Sequence, residues 1–252
     1  MHKRFVAMAL SMALSSPALA WDPAALRQET QTTNFLLNND CSATLIDAKQ
    51  GLLLTANHCI ADQFTVITKQ EIDAKGVVKD VKVRIAVPGH VDQLVYQGPN
   101  VTQRNIYNVK IKAADDGKDL ALVQTLGPLP NTEAAPISCT DPEQGDTVYA
   151  VGNPYIVLYN TVTKGIVSNT HLDYQALGLV QGDDTPDLIG TNGLVQHTAP
   201  IAPGNSGGAL YNDKGELVGV NVRGGSGVSL VVPLADVRQF LTDNGVPNVC
   251  PK

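Results

Sequence analysis

The stretch Pro203-Gly204-Asn205-Ser206-Gly207-Gly208 is the most informative part of this 252-residue sequence, because glycines surround a single serine. A nucleophilic serine needs a tight turn that exposes its hydroxyl group. The same turn must bring backbone N–H groups close to a developing oxyanion, which requires positions without a Cβ atom. The stretch therefore predicts that Ser206 is a nucleophile, while a glycine-rich hairpin loop is the alternative that it leaves open.

The order of the histidines in the chain separates two classes of serine hydrolase. Residues 204–208 also fit the Gly-x-Ser-x-Gly turn of α/β-hydrolases, in which the order is serine, then acid, then histidine. All five histidines of this chain precede Ser206, and the residues after Ser206 are strand-like rather than helical. We therefore reject that class and look for the acid and the histidine before the serine.

The candidate for the general base is His58, in the stretch Leu54-Thr55-Ala56-Asn57-His58-Cys59. It follows directly on an apolar strand-like run, and a disulfide at Cys59 would hold the next residue. A general base has to be immobilised so that it stays within hydrogen-bond reach of the serine.

The candidate for the orienting acid is Asp119, which leads into the apolar run Leu120-Ala121-Leu122-Val123. A carboxylate at the start of a buried strand can be held near the core, where it fixes the tautomer of a histidine. Asp115 and Asp116 belong to a polar turn that ends at Gly117, and we expect them to be solvated.

The first 20 residues predict a secretory signal peptide. A basic start, His2-Lys3-Arg4, precedes an apolar run at residues 5–14, and Ala18-Leu19-Ala20 is a small-x-small cleavage site. We expect cleavage before Trp21 and a secreted or periplasmic protein; an N-terminal membrane anchor is the alternative. The run is short for a membrane span, and no later segment is apolar enough to cross a bilayer.

The four cysteines predict two disulfides, because an even number in an oxidising compartment favours pairing. Three connectivities are possible, and we favour Cys41–Cys59 and Cys139–Cys250. Zinc binding through His58 and Cys59 is the alternative. Adjacent residues rarely supply two ligands and the chain has no CxxC pair, so we expect no metal and no cofactor.

The rest of the chain is typical of an all-β protein. It is 43% apolar with a net charge of −6, which argues against nucleic acid as a partner. One helix is predicted from Pro233 to Asn244-Gly245. A stretch rich in proline, glycine and asparagine at 127–136 is a candidate linker. Short β-type runs lie at 42–47, 52–56, 64–68, 77–87, 106–113, 120–125, 147–151, 161–167, 193–198, 216–222 and 228–232.

Three motifs resemble those of trypsin-like serine peptidases: Thr-Ala-Asn-His-Cys at 55–59, Asp-Leu-Ala-Leu-Val at 119–123 and Gly-Asn-Ser-Gly-Gly at 204–208. The strings at 145–154 and 215–221 resemble the bacterial HtrA-like branch of that family. The resemblance implies a chymotrypsin-like fold: two antiparallel six-stranded β-barrels with a C-terminal helix and the site between them. We expect the first barrel within residues 21–132 and the second within 133–252.

The same resemblance implies roles for individual residues. It makes His58 the general base, Asp119 the orienting acid and Ser206 the nucleophile, and it makes the N–H groups of Gly204 and Ser206 the oxyanion hole. The primary specificity pocket is expected to be walled by residues 199–203 and 222–227. Within these walls the expected substrate-binding residues are Pro200, Val222, Arg223, Gly224 and Gly227.

Pro200 occupies the floor position, where trypsins have an aspartate that binds Lys or Arg. Without a buried anion, a cationic side chain would be desolvated unpaired. We therefore expect protein or peptide substrates that are cleaved after small to medium apolar residues.

The sequence also departs from the family. The residue before the nucleophile is Asn205 rather than an aspartate, so it cannot pair with a buried N-terminal ammonium, and we expect no zymogen switch of that type. In this sequence 46 residues follow Ser206, and we therefore expect no PDZ domain of the kind usual in HtrA proteins. Residues 69–112 are expected to contain inserted strands or loops. Residues 169–192 are expected to form a long loop, either a plain surface loop or one that gates the cleft.

Two other functions remain open. A binding protein on the same scaffold, silent through a collapsed oxyanion loop, is one alternative, since fold does not guarantee activity. A serine esterase is the other. The sequence makes no prediction about the oligomeric state.

Overall fold

A computed structural model of the chain describes residues 22–72, 76–98, 100–173, 193–225, 227–246 and 249–250. These residues form two closed six-stranded antiparallel barrels, a separate two-stranded sheet and two α-helices, one of them near the C-terminus. The predicted fold class is confirmed. The predicted signal peptide, residues 1–20, lies outside the described residues.

The first half of the chain builds one barrel. Its elements are α1 (Pro23–Thr33), β1 (Asn34–Leu37), β2 (Cys41–Asp47), β3 (Leu52–Thr55), β4 (Phe64–Ile72), β5 (Val78–Ala86), β6 (Gly89–Gln97), β7 (Asn100–Asp115) and β8 (Leu120–Thr125). The barrel order is β1-β2-β3-β8-β7-β6, and the pairing of β1 with β6 closes it. Because β3 and β8 are continuous apolar runs, they form the buried wall from which His58 and Asp119 extend.

The second half builds the other barrel. Its elements are β9 (Thr147–Gly152), β10 (Thr161–Leu172), β11 (Leu194–His197), β12 (Ala209–Tyr211), β13 (Leu217–Gly225), β14 (Val228–Pro233) and α2 (Leu234–Asp243). The strand order is β10-β11-β14-β13-β12-β9. Helix α2, which was predicted near the C-terminus, buries an apolar stripe formed by Leu234, Val237, Phe240 and Leu241.

Residues 69–112, where inserted strands or loops are expected, divide between a separate hairpin and the first barrel. Among the strands that the structure describes in this segment, β4 and β5 form a hairpin outside the barrels, whereas β6 and β7 are barrel strands. The long loop expected at 169–192 starts later, because β10 continues to Leu172. Residues 174–192 of that prediction lie outside the described part of the chain.

Helix α1 is not predicted by the apolar pattern. Asp22 caps it, since its Oδ2 accepts the N–H of Ala25 at 3.3 Å, and a proline occupies its first turn. The helix is attached through buried polar groups rather than an apolar stripe. The hydroxyl of Thr33, fully buried, lies 2.9 Å from the Tyr211 hydroxyl in the second barrel.

Both predicted disulfides, Cys41–Cys59 and Cys139–Cys250, are present. Residues 127–136 contain no helix or strand, and Ala135 donates its N–H to the Leu45 carbonyl at 2.8 Å, which attaches this segment to the first barrel. The domain boundary between 132 and 133 stays a prediction. Within the described residues, no helix has both the length and the apolar character needed to span a membrane.

Glu29 on α1 gives a testable dependence of stability on pH. Burial, and secondarily the negative charge of Glu133, raise the pKa of Glu29 from 4.5 to about 7. The folded state therefore binds more protons than the unfolded state between these values, so stability falls as the pH rises through that window. We expect Glu29→Gln to reduce the decrease in the free energy of unfolding between pH 5 and pH 8, and to raise that free energy at pH 8. Urea denaturation at the two pH values measures both effects.

Glu133→Gln is the matched control for this prediction, because it removes only the smaller cause of the shift. It should change the pH dependence less than Glu29→Gln does. An unchanged slope between pH 5 and pH 8 in Glu29→Gln would contradict the assignment.

Candidate active site

His58 and Asp119 form a direct pair. His58 lies in the 3₁₀ turn Asn57–Gln63 that follows β3. Its ring Nδ1 is 2.8 Å from Asp119 Oδ2, and its backbone N–H donates to Asp119 Oδ1 at 2.9 Å. Because a carboxylate accepts hydrogen bonds, this contact favours the tautomer with the proton on Nδ1, and within the described part of the chain Nε2 makes no hydrogen bond. The imidazole is 31% exposed and the carboxylate 1% exposed.

Asp119 stands in the left-handed region with φ of 52°, directly before β8. Aspartate tolerates this conformation better than most residues because its short side chain bonds locally. The Asp119 carbonyl accepts the N–H of Asn57 at 3.1 Å, so main chain and side chain together hold the residues around His58. Asp116 is exposed, as expected, and Asp115 is half-buried.

The turn that carries Ser206 is attached to the first barrel beside these residues. The Ser206 carbonyl accepts the N–H of Ser42 at 2.8 Å. Gly207 has φ of 81°, and a Cβ there would overlap Thr55 Oγ1 and the Ser42 carbonyl oxygen. Only glycine therefore lets the turn pack against the end of β3, which Ala56 and Asn57 connect to His58.

The Cys41–Cys59 disulfide reinforces this arrangement. Cys41 precedes Ser42, which bonds the serine turn, and Cys59 follows His58. Cys41, His58 and Cys59 also form a group with the spacing of a metal site. Both sulfurs are bonded to each other, however, so neither is available as a thiolate ligand.

The Ser206 hydroxyl is half-buried and contacts the Val222 carbonyl oxygen at 3.4 Å. Among the residues described, no hydrogen bond joins Ser206 to His58. The structure thus brings the two candidate residues into one region and forms the His58–Asp119 bond, while the serine hydroxyl remains turned toward Val222.

Two backbone N–H groups of this turn point away from the hydrogen bonds that hold their peptide planes in place. The Pro203 carbonyl accepts the Tyr155 N–H at 2.7 Å, and the Asn205 carbonyl accepts the Gly208 N–H at 3.0 Å. The N–H of a trans peptide points opposite to its C=O, so the Gly204 and Ser206 N–H groups point away from these bonds. Within the described part of the chain neither N–H has an acceptor.

A cavity of about 570 Å³ opens beside Ser206. Its described lining is Ile201, Ala202, Pro203, Ser206, Val222, Arg223, Gly224, Gly225, Val228 and Leu230. The lining is mostly apolar, and a Cβ at Gly224 would overlap the side chain of Ile201.

Three of the expected substrate-binding residues, Val222, Arg223 and Gly224, line this cavity. Pro200 and Gly227 are not among its described lining residues. Pro200 is exposed and its carbonyl accepts the Thr163 hydroxyl at 2.7 Å, which directs this residue toward β10. Leu230 on β14 was missed, because only the barrel register brings that strand beside the cavity.

Ser42 and Asn153 are two further residues that sequence reasoning missed. The Ser42 hydroxyl donates to the Gly204 carbonyl at 2.8 Å and accepts from the Asn153 N–H at 2.9 Å and from its Nδ2 at 3.0 Å. Both residues are fully buried. No local pattern marks them, apart from the position of Ser42 next to Cys41.

His197 lies inside the second barrel with 1% exposure. Burial lowers its pKa to about 4, and a smaller, opposing effect comes from Asn221. The ring is therefore neutral at neutral pH and adds no charge to the serine turn, whose Gly207 N–H donates to the Asn221 carbonyl.

Comparisons with known proteins agree with this architecture. The family model described as trypsin-like peptidase domain matches residues 41–220. Serine protease HTRA2, mitochondrial, from Bos taurus is 32% identical over 197 residues, which is 77% of this chain and 34% of that protein. The probable periplasmic serine protease do/HhoA-like from Haemophilus influenzae is 32% identical over 198 residues, 76% of this chain and 34% of that protein.

Serine protease HTRA1B from Danio rerio is 36% identical over 139 residues, 55% of this chain and 27% of that protein. The chain thus spans about a third or less of the length of these curated relatives. A solved structure, the serine endoprotease from Yersinia pestis, matches 90% of this chain and 68% of its own with a TM-score of 0.59 and 23% identity, which supports the fold.

Proposed function

The chain belongs to the trypsin-like peptidase family, and on that premise we propose that it is a serine endopeptidase acting through His58, Asp119 and Ser206. The observation that carries the proposal is the bond between His58 Nδ1 and Asp119 Oδ2 at 2.8 Å, beside the turn that presents Ser206. The pair leaves Nε2 of His58 as the free basic nitrogen, which is the atom that a general base uses.

The reaction is acyl transfer. The Ser206 side chain first rotates about χ1, away from the Val222 carbonyl, so that its hydroxyl meets Nε2 of His58. Ser206 Oγ then attacks the substrate carbonyl while His58 takes its proton, and Asp119 stabilises the resulting imidazolium. His58 returns the proton to the leaving amine, and water repeats the cycle on the acyl-enzyme.

The oxyanion of the tetrahedral intermediate is bound by the N–H groups of Gly204 and Ser206. The support for this role is that both N–H groups lack an acceptor within the described residues while their peptide carbonyls are bonded on the opposite side. Donors fixed in advance stabilise developing charge without the cost of reorganisation.

The cavity beside Ser206 binds the side chain that precedes the cleaved bond. Its walls are formed mainly by Ile201, Val222, Val228 and Leu230, and no carboxylate is among its described lining. An apolar side chain of small to medium size gains from burial there, whereas a lysine or arginine would be desolvated without a partner.

Digestion of an unbiased peptide library by the wild-type protein tests the proposed function and its specificity together. We expect cleavage mainly after Ala, Val, Leu or Met, with Ser206→Ala as the inactive reference. Dominant cleavage after Lys or Arg would contradict the assignment of the pocket, and equal cleavage by wild type and Ser206→Ala would contradict the assigned nucleophile.

We place the protein in a secreted or periplasmic setting with protein or peptide substrates. The two disulfides support an oxidising compartment. The matched Haemophilus influenzae relative is described as a probable periplasmic protein.

A further inference from the structure

The loop of residues 153–160, here called the backing loop, lies directly behind the serine turn. Its Tyr155 N–H donates to the Pro203 carbonyl at 2.7 Å. That carbonyl belongs to the same peptide plane as the Gly204 N–H, one of the two proposed oxyanion donors. The position of the backing loop therefore sets the direction in which the Gly204 N–H points.

Pro154 is a buried apolar residue of the backing loop, but most of the loop's other apolar side chains are exposed. Tyr155, Ile156 and Asn160 have left-handed φ angles of 56°, 60° and 51°, which non-glycine residues adopt only when other contacts impose them. Its apolar side chains give little anchorage, since Tyr155, Val157 and Leu158 are 62%, 68% and 53% exposed.

Side chains at the junction of α1 and β1 bond both ends of the backing loop, and the Phe35 carbonyl and the Ser42 hydroxyl bond Asn153 as well. Asn34, 6% exposed, donates from Nδ2 to Asn153 Oδ1 at 3.3 Å and to Asn160 Oδ1 at 3.2 Å. Asn160 in turn donates to the Thr30 hydroxyl at 3.1 Å and, through its N–H, to Asn153 Oδ1 at 2.9 Å. One side chain, Asn34, thus bonds both ends of the loop.

A second chain of hydrogen bonds connects Asn34, through Asn153, to the serine turn. Asn153 bonds the Ser42 hydroxyl, and that hydroxyl donates to the Gly204 carbonyl at 2.8 Å. The Pro203 carbonyl is therefore fixed by the backing loop itself, and the Gly204 carbonyl by Ser42, a residue of β2 whose hydroxyl also accepts from Asn153.

We propose that Asn34 is a positioning residue for the oxyanion hole: the end of α1 holds the backing loop, and the backing loop holds the Gly204 peptide in the orientation that binds the oxyanion. The expected effect on kcat rests on the proposed function. That Asn34 holds the backing loop does not depend on the proposed function. Because Asn205 stands before the nucleophile, this chain would order its serine turn through hydrogen bonds of uncharged side chains.

The test uses the full chain with Asn34→Ala, the shape-preserving Asn34→Asp, and Thr33→Val as the matched control. Thr33 is the neighbouring buried residue of α1, and its hydroxyl bonds Tyr211 rather than the backing loop. All three changes remove buried hydrogen bonds at the junction of α1 and β1, but only the Asn34 variants remove those to the loop. Thermal melts identify a temperature at which every variant is folded.

For both Asn34 variants we expect kcat to fall about 10- to 100-fold with KM changed less than about twofold, since loss of one oxyanion donor costs about 100- to 1000-fold and misorientation costs less. Deuterium uptake by peptides covering 153–160 should increase in the same variants. Thr33→Val should keep kcat within about twofold and leave that uptake unchanged.

The proposal is overturned if the Asn34 variants match wild type in kcat, or if their uptake at 153–160 does not exceed that of Thr33→Val. A wild-type protein that cleaves no peptide would refute the proposed function instead. In that case the deuterium uptake alone still decides whether Asn34 holds the backing loop.

Discussion

Replacing Ser206 with alanine is expected to lower kcat on a peptide substrate about a million-fold, as in comparable triads. The substitution removes the oxygen that forms the acyl-enzyme, so the remaining rate comes from binding and the oxyanion donors alone. The site should otherwise stay intact, because the Ser206 main chain is held through its carbonyl by Ser42. Initial rates against a peptide taken from the library digestion measure the effect.

Ser138→Ala is the matched control for this change. Ser138 is also buried, and its hydroxyl bonds the Thr140 carbonyl at 2.9 Å, outside the candidate site. Its kcat should stay within about twofold of wild type. A Ser206→Ala variant that retained more than about a thousandth of the wild-type kcat would show that another residue is the nucleophile.

Asp119→Asn is expected to lower kcat about ten-thousand-fold. The carboxylate accepts from both the N–H and the Nδ1 of His58, and an amide in its place can present its NH₂ group to the ring. The histidine then takes the tautomer whose Nε2 carries a proton and cannot act as a base. The pH dependence of kcat/KM in wild type and variant would report the loss of the base.

Asp116→Asn serves as the control, since Asp116 lies in the same turn but is exposed. An amide oxygen can still accept the hydrogen bond that Asn57 donates to its side chain. We expect kcat within about threefold of wild type. Equal losses in the two variants would mean that Asp119 acts through the fold of the turn rather than through His58.

The candidate residues could be predicted because their signals are local, whereas the two barrels were expected from the resemblance of three short motifs to a known family. The apolar runs at β3 and β8, the glycines around Ser206 and the order of histidine, acid and serine can each be read within a few positions. Strand β6 was not predicted, because Asp92 and Gln93 are buried there and interrupt the apolar pattern. Asp92 is compensated by an ion pair with Arg104 on β7, a contact visible only once the strands are paired.

Two short strands were missed for a different reason. Strand β1 has four residues and β12 three, and all of them are buried. Because both faces of these strands are buried, apolar and polar residues do not alternate along them. Runs this short cannot be distinguished from loops in the sequence.

Helix α1 and its contacts could not be predicted from local patterns at all. Asn34 bonds residues 119 and 126 positions away, and Thr30 bonds one 130 positions away. These contacts are between uncharged polar side chains. Such residues show no regular spacing in the sequence, and nothing in the sequence identifies their partners. The same holds for Ser42, whose role depends on a glycine 162 positions later.

Labelling with a fluorophosphonate probe tests the central claim most directly, namely that Ser206 is made nucleophilic by His58. In wild type, tandem mass spectrometry should locate a stoichiometric adduct on Ser206, and the labelling rate should fall at least about a thousand-fold in His58→Ala. Labelling at another residue, no labelling of the folded wild type, or an equal rate in His58→Ala would contradict the account.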